Sequence, residues 1–163
     1  MRIAQIAPLT EAVPPKLYGG TERVIHWLTE ELVELGHDVT LFASGDSRTA
    51  AKLEAGWPRA LRLDGAVRDA NALHLAMLER VRKQAAEFDF LHFHLDYYPF
   101  SLFSRQATPF LTTLHGRLDL PELRAERRSW LRHDRSPLST SPSTCQTPNS
   151  SGAAGKKKFR TSC

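Results

Sequence analysis

Short apolar runs at 2–7, 38–43, 90–94 and 110–114 alternate with longer stretches whose apolar residues return at helical spacing. This rhythm is the strongest constraint on what the chain can fold into. Strands separated by helix-length segments are joined by crossovers rather than tight hairpins, so they run mostly parallel with helices covering the sheet. The fold class expected is therefore α/β.

Local signals sharpen the boundaries. The first run ends at Pro8, as a buried strand can, and a loop with Pro14, Pro15 and Gly19-Gly20 follows. Thr21 is placed to cap a helix, and Val24, Ile25, Leu28, Leu32 and Leu35 form its apolar face, with Gly36 as terminator. Ser44-Gly45-Asp46 turns the chain after the second run. Residues 47–66 give no clear pattern, and 59–63 is the stretch there that reads as a short strand. A long helix is expected over 68–88, with Leu73, Met77, Leu78, Val81 and Ala85 near one face, and a short one over 99–105.

The pattern stops after Leu123. Of the chain's 22 basic and 18 acidic residues, nine and two fall beyond that point, leaving 13 and 16 before it, so the body is acidic and the tail strongly basic. From Ser136 onward Ser, Thr and Pro dominate, and such a composition buries too little apolar surface to offset its ordering entropy. The expectation is one incomplete domain over 1–123 and a disordered, Ser/Pro-rich basic tail over 124–163. Both cysteines, Cys145 and Cys163, lie in the tail without metal-ligand spacing. No run approaches the ~20 apolar residues of a spanning helix, and the amino terminus lacks a secretory pattern, so a cytoplasmic location is expected.

Ligands of an open parallel sheet bind beyond the carboxyl ends of its strands, so the loops there carry the candidate chemistry. In Tyr18-Gly19-Gly20-Thr21-Glu22, glycines let a ligand approach the backbone, and a helix N-terminus offers unpaired N–H groups to a diphosphate; the structural alternative is a flexible turn. In His92-Phe93-His94-Leu95-Asp96, the two histidines share a strand face, and Asp96 is placed to orient an imidazole or a sugar hydroxyl. The structural alternative is one partly buried, hydrogen-bonded histidine and one on the surface; it is preferred for His92 and left open for His94. His115-Gly116 follows the last apolar run, where the sheet opens toward ligand. His26, His37 and His74 have no evident partner in the sequence and are read as structural or surface residues, as is His133.

Two common nucleotide sites are excluded. A nicotinamide-binding unit carries G-x-G-x-x-G directly after its first strand, where this chain has Ala7-Pro8-Leu9-Thr10-Glu11. The phosphate-binding pattern G-x-x-x-x-G-K-[ST] does not occur.

Taken in order, the segments Met1–Pro8, Pro15–Glu22, Glu34–Ala43, Phe88–His94 and Thr113–Gly116 resemble the amino-terminal domain of glycosyltransferase family 4. The resemblance spans 1 to about 123. It implies a Rossmann-like, mostly parallel sheet flanked by helices, the N-terminal half of a GT-B glycosyltransferase. It also implies transfer of a sugar from a nucleotide-sugar donor with retention of configuration, of the hexosyltransferase type, with no metal or other cofactor. Carried over residue by residue, Gly19 and Gly20 approach the donor diphosphate and His115 lies near the transferred sugar as the catalytic candidate. His94, Asp96 and Gly116 are the remaining acceptor or sugar contacts.

The family's second domain supplies the nucleotide pocket, and its features do not occur in this sequence. The chain is expected to be a truncated, inactive half whose tail arises from aberrant translation. The alternatives are a non-catalytic acceptor- or phosphate-binding module, or the partner of a separately encoded donor domain. The partners expected are a nucleotide sugar and a sugar or lipid acceptor, with peripheral membrane contact compatible with the latter. The run Lys156-Lys157-Lys158-Phe159-Arg160 offers a contact for nucleic acid or anionic membrane, but a solvated end is the preferred reading and no nucleic-acid partner is expected.

Overall fold

The computed structural model describes residues 1–116; the tail expected beyond Leu123 lies outside the described residues. Five strands, β1 (Arg2–Ile6), β2 (Asp38–Ser44), β3 (Lys52–Trp57), β4 (Phe90–Phe93) and β5 (Phe110–Thr112), form one sheet in the order β3-β2-β1-β4-β5. Every pairing is parallel. The helices are α1 (Gly20–Glu34), α2 (Ala70–Gln84) and α3 (Tyr98–Phe103), with 3₁₀ turns at Leu61–Leu63 and Ala85–Glu87. This is the Rossmann-like α/β sheet expected from the sequence.

Alternation along the strands sorts the core into two layers. Ala4, Ile6, Phe42, Leu91 and Phe93 pack with Met77, Leu78, Val81 and Ala85 of the α2 segment and with Phe103 of α3. Leu41 and Ala43 pack on the other face with Ala7, Val13 and Ile25 of α1. Each fully buried Phe, Leu or Ile contributes about 1.5–3 kcal/mol relative to exposure, so these layers supply the main driving force.

The helix ends follow from local chemistry. The Asp69 carboxylate caps α2 by accepting from the N–H groups of Asn71 and Ala72. Helix α1 closes in a Schellman motif: Gly36 has φ +80°, its N–H bonds Val33 O, and His37 N–H bonds Leu32 O. Gly36 is therefore the terminator the sequence indicated.

Three local expectations are corrected. The cap residue of α1 is Gly19, not Thr21, which lies inside the first turn, and no side chain caps that end. The buried stripe of α1 is Glu22, Ile25 and Thr29, whereas Val24 and Leu35 are exposed, and it packs against β2. The strand in the unclear region is Lys52–Trp57, while 59–63 contains a 3₁₀ turn. An edge strand broken by Lys52, Glu54 and Gly56 has no continuous apolar run to betray it.

Candidate active site

The strand order reverses beside β1, whose neighbours are β2 and β4, and the crevice beyond such a reversal is where open α/β sheets bind ligands. The loops leaving β1, β4 and β5 all open on this edge. They carry every site residue singled out in the sequence.

The loop after β1 is fixed by its neighbours. Leu61 and Arg62 donate backbone bonds to the carbonyls of Leu9 and Thr10, and Arg48 donates to Val13 O. Ser47 Oγ accepts from Val13 N–H, and His74 Nε2 accepts from Leu9 N–H at 2.9 Å. His74 therefore has a partner that the sequence did not reveal. The loop also buries Glu11, whose Oε1 lies 2.7 Å from Nε of Arg62. The loop thus enters α1 at a set position.

Gly19 and Gly20 stand at that entry with different surroundings. A Cβ on Gly19 would lie 2.7 Å from Glu22 Oε2 and 2.8 Å from Pro15 Cβ, so the position admits only glycine without displacement. Among the described residues, a Cβ on Gly20 would meet nothing within 4 Å beyond the helix itself, so α1 is open at this position. The Glu22 carboxyl folds back beneath this turn and is buried. Burial pushes its pKa up against the pull of its own backbone N–H, with Glu11 adding to the rise and Arg62 opposing it.

On the other side of the reversal, three histidines form one row. His92 and His94 lie with ring centroids 4.2 Å apart, and His94 meets His115 edge to edge with centroids 5.2 Å apart and planes at 26°. His92 Nε2 bonds Thr113 Oγ1 at 2.7 Å, which gives it the structural role preferred from sequence. His94 is not the surface histidine of that reading: it is 2% exposed. Its Nδ1 lies 2.8 Å from His115 Nε2 and its Nε2 lies 3.0 Å from Gln5 Oε1. Both ring nitrogens of His94 are thus engaged by the protein. Burial depresses the pKa of all three, with the neighbouring rings adding to the effect on His92 and His94 and taking His94 down to about 3. The Asp96 carboxylate partly counters the fall at His115. All three imidazoles are neutral at pH 7.

His115 is the half-exposed end of this row, between β5 and the bend at Gly116. Asp96 sits beside that turn, its Oδ1 3.7 Å from where a Gly116 Cβ would be. Asp96 has φ +45°, a left-handed conformation that Asp tolerates better than most residues. In this turn between β4 and α3 the carboxylate lies toward Gly116. Among the described residues no set of three or more His, Cys, Asp or Glu side chains is placed to hold a metal ion.

Sequence reasoning missed Gln5, Glu11 and Arg62 as members of this edge. Gln5 carried the one legible signal, a polar residue inside an otherwise apolar strand. The pairing of Glu11 with Arg62 depends on a loop crossing that no local pattern encodes.

Among curated proteins no significant match is found. Among solved structures, that of AviGT4, a glycosyltransferase involved in avilamycin A biosynthesis, is similar at 27% identity and a TM-score of 0.40. The similarity covers 57% of this chain and 25% of that one, so the chain spans about a quarter of the length of that protein. The family profile described as Glycosyltransferase Family 4 matches residues 18–144, most of the chain and every site residue from Tyr18 to Gly116. The chain belongs to glycosyltransferase family 4.

Proposed function

We propose that this domain forms the acceptor-side wall of a sugar-transfer site that takes a nucleotide-sugar donor and acts with retention and without a metal. One observation carries the reading: the open glycine N-terminus of α1 and the His115-Asp96-Gly116 corner flank the same strand reversal of one parallel sheet. The first suits the diphosphate of the donor, whose negative charge grows as the glycosidic bond breaks and is met by N–H groups already aimed at it. The second offers a neutral imidazole and a carboxylate, groups that hold sugar hydroxyls. In this reading Gly19 and Gly20 approach the diphosphate, His115 faces the transferred sugar, and Asp96 and Gly116 border the acceptor, with His94 acting behind His115.

Transfer needs groups placed from both sides of the bond being broken. The nucleotide is held by a second surface facing these loops, on this polypeptide or another, and the domain by itself has little or no activity. The test is a transfer and donor-hydrolysis assay with a panel of nucleotide sugars, run on the 163-residue chain and on the same domain joined to a nucleotide-binding domain of the family. Activity in the joined protein that disappears with His115→Ala supports the reading. Full activity in the 163-residue chain, or in the joined His115→Ala variant, overturns it.

A further inference from the structure

Two imidazole nitrogens 2.8 Å apart, Nδ1 of His94 and Nε2 of His115, are held together by one shared proton. Which ring owns it is decided one step further back. His94 Nε2 lies 3.0 Å from Gln5 Oε1, a carbonyl oxygen that carries no proton. The proton of that bond is therefore on His94 Nε2. A neutral imidazole has one N–H, so His94 Nδ1 bears a lone pair and accepts from His115 Nε2–H. His115 is then left with its lone pair on Nδ1, and no described residue hydrogen-bonds that nitrogen.

The register places Gln5 to do this. Gln5 pairs with His92 across the central parallel strands β1 and β4, and its side chain lies on the same sheet face as His92 and His94. It is 1% exposed, and its Nε2 has no partner among the described residues. Among the described residues the bond from His94 to Oε1 is thus the one anchor of this buried amide, and its N–H pair is left unmatched.

We propose that Gln5 is a positioning residue that, through His94, fixes the tautomer of His115, so that His115 Nδ1 meets the ligand as a hydrogen-bond acceptor. The ligand group at this corner is then a hydroxyl donating its proton, and a phosphate oxygen, which only accepts, is turned away to the glycine end of the site. This consequence for the ligand rests on the sugar-transfer reading, whereas the tautomer does not.

The test is ¹⁵N NMR on the full chain labelled in histidine and glutamine. The expected result is a coupling across the N–H···N bond between His94 and His115 with the attached proton on His115 Nε2. A coupling from His94 Nε2 to the Gln5 side-chain carbonyl carbon is expected with it. A proton attached to His94 Nδ1, or a missing coupling to Gln5, overturns the proposal even where the variant below does not fold. Gln5→Met keeps the shape and removes the acceptor, and it is expected to leave His115 as a mixture of both tautomers. A single unchanged tautomer in folded Gln5→Met removes Gln5 from the relay. None of these outcomes depends on sugar transfer, so the relay and the proposed function fail separately.

Discussion

The backbone N–H of Leu9 donates to Nε2 of His74 across 2.9 Å, while Nδ1 of the same ring lies 2.7 Å from the carbonyl of Ala70. An N–H donor on one side and a carbonyl on the other leave one tautomer, with the proton on Nδ1. The ring pins the loop after β1 to the first turn of α2, and only the neutral form can do so. Burial depresses its pKa accordingly. His92 and His94 are depressed in the same direction, and His94 lies at about 3.

Stability should therefore fall in mildly acidic solution. The unfolded histidines take up protons near pH ~6.5, and the folded ones refuse them. The unfolded state then binds more protons, so stability is fullest above pH ~6.5 and declines as pH falls toward the folded pKa values. Each histidine that refuses its proton costs about 1.4 kcal/mol per pH unit in that interval. The carboxylates of Asp46, Asp64, Glu79 and Asp89 are held below their ordinary range and lose their contribution at lower pH still. Glu22, raised by burial, works in the opposite direction near the upper end of the carboxylate range. Urea denaturation at pH 7.5 and pH 5.5 should show a lower midpoint at pH 5.5, and His74→Phe should flatten part of the difference. A midpoint independent of pH over this interval would contradict the neutral pin.

At the half-exposed end of the histidine row, Asp96 acts on His115 through its charge. Its carboxylate raises the His115 pKa against the larger, opposing effect of burial. Asp96→Asn keeps a residue that tolerates the left-handed backbone and removes the charge. The His115 pKa should then drop further, as read from the pH titration of its ring shifts. An unchanged titration would place Asp96 out of electrostatic reach of His115.

The two glycines at the start of α1 should respond in opposite ways to the same methyl group. Gly19→Ala forces a Cβ within 2.7 Å of Glu22 Oε2 and 2.8 Å of Pro15 Cβ and should destabilise by about 1–3 kcal/mol. Gly20→Ala enters open space at the first helical position and should be neutral or stabilising by up to about 1 kcal/mol. If the first turn is the diphosphate seat, Gly20→Ala in the protein joined to a nucleotide-binding domain should still raise KM for the nucleotide sugar. A Gly20→Ala protein with unaltered stability and unaltered KM would remove Gly20 from the site.

How far the sequence disclosed this arrangement depended on whether the signal was local. Strands β1, β2 and β4 were visible because their largely apolar runs are buried on both faces, and β5 because its Phe110-Leu111 run is apolar although Leu111 is exposed at the sheet edge. Gly36 was visible because a left-handed turn at a helix end leaves a glycine behind. Strand β3 was not, since a half-buried edge tolerates Lys52 and Glu54, paired with each other at 2.9 Å. The candidate site was legible as loops and not as contacts. His94 and His115 were both marked, yet nothing in their spacing foretold that 21 positions of chain would bring the rings to 2.8 Å. Gln5 lies 89 positions from the ring that it holds, a relation set by the pairing of β1 with β4.

Among the anchors of the loop that presents Gly19 and Gly20 is an asymmetric ion pair. Glu11 is nearly buried, its side chain 6% exposed, whereas the Arg62 side chain that meets it at 2.7 Å is 54% exposed. In such a pair the carboxylate bears most of the desolvation cost, and the arginine serves to offset it. Arg62→Ala leaves a buried carboxylate without its cation and should cost about 1–3 kcal/mol, below the range for a wholly buried pair because water reaches the arginine side. Adding Glu11→Gln to that variant removes the stranded charge, so the double variant should be more stable than Arg62→Ala alone at pH 7. The comparison is made by urea denaturation of the two variants. If Arg62→Ala were as stable as the unmodified chain, or the double variant no better than the single, solvent rather than Arg62 would be satisfying Glu11. The loop would then be held by its backbone bonds to Leu61, Arg62 and Arg48 and by the His74 pin.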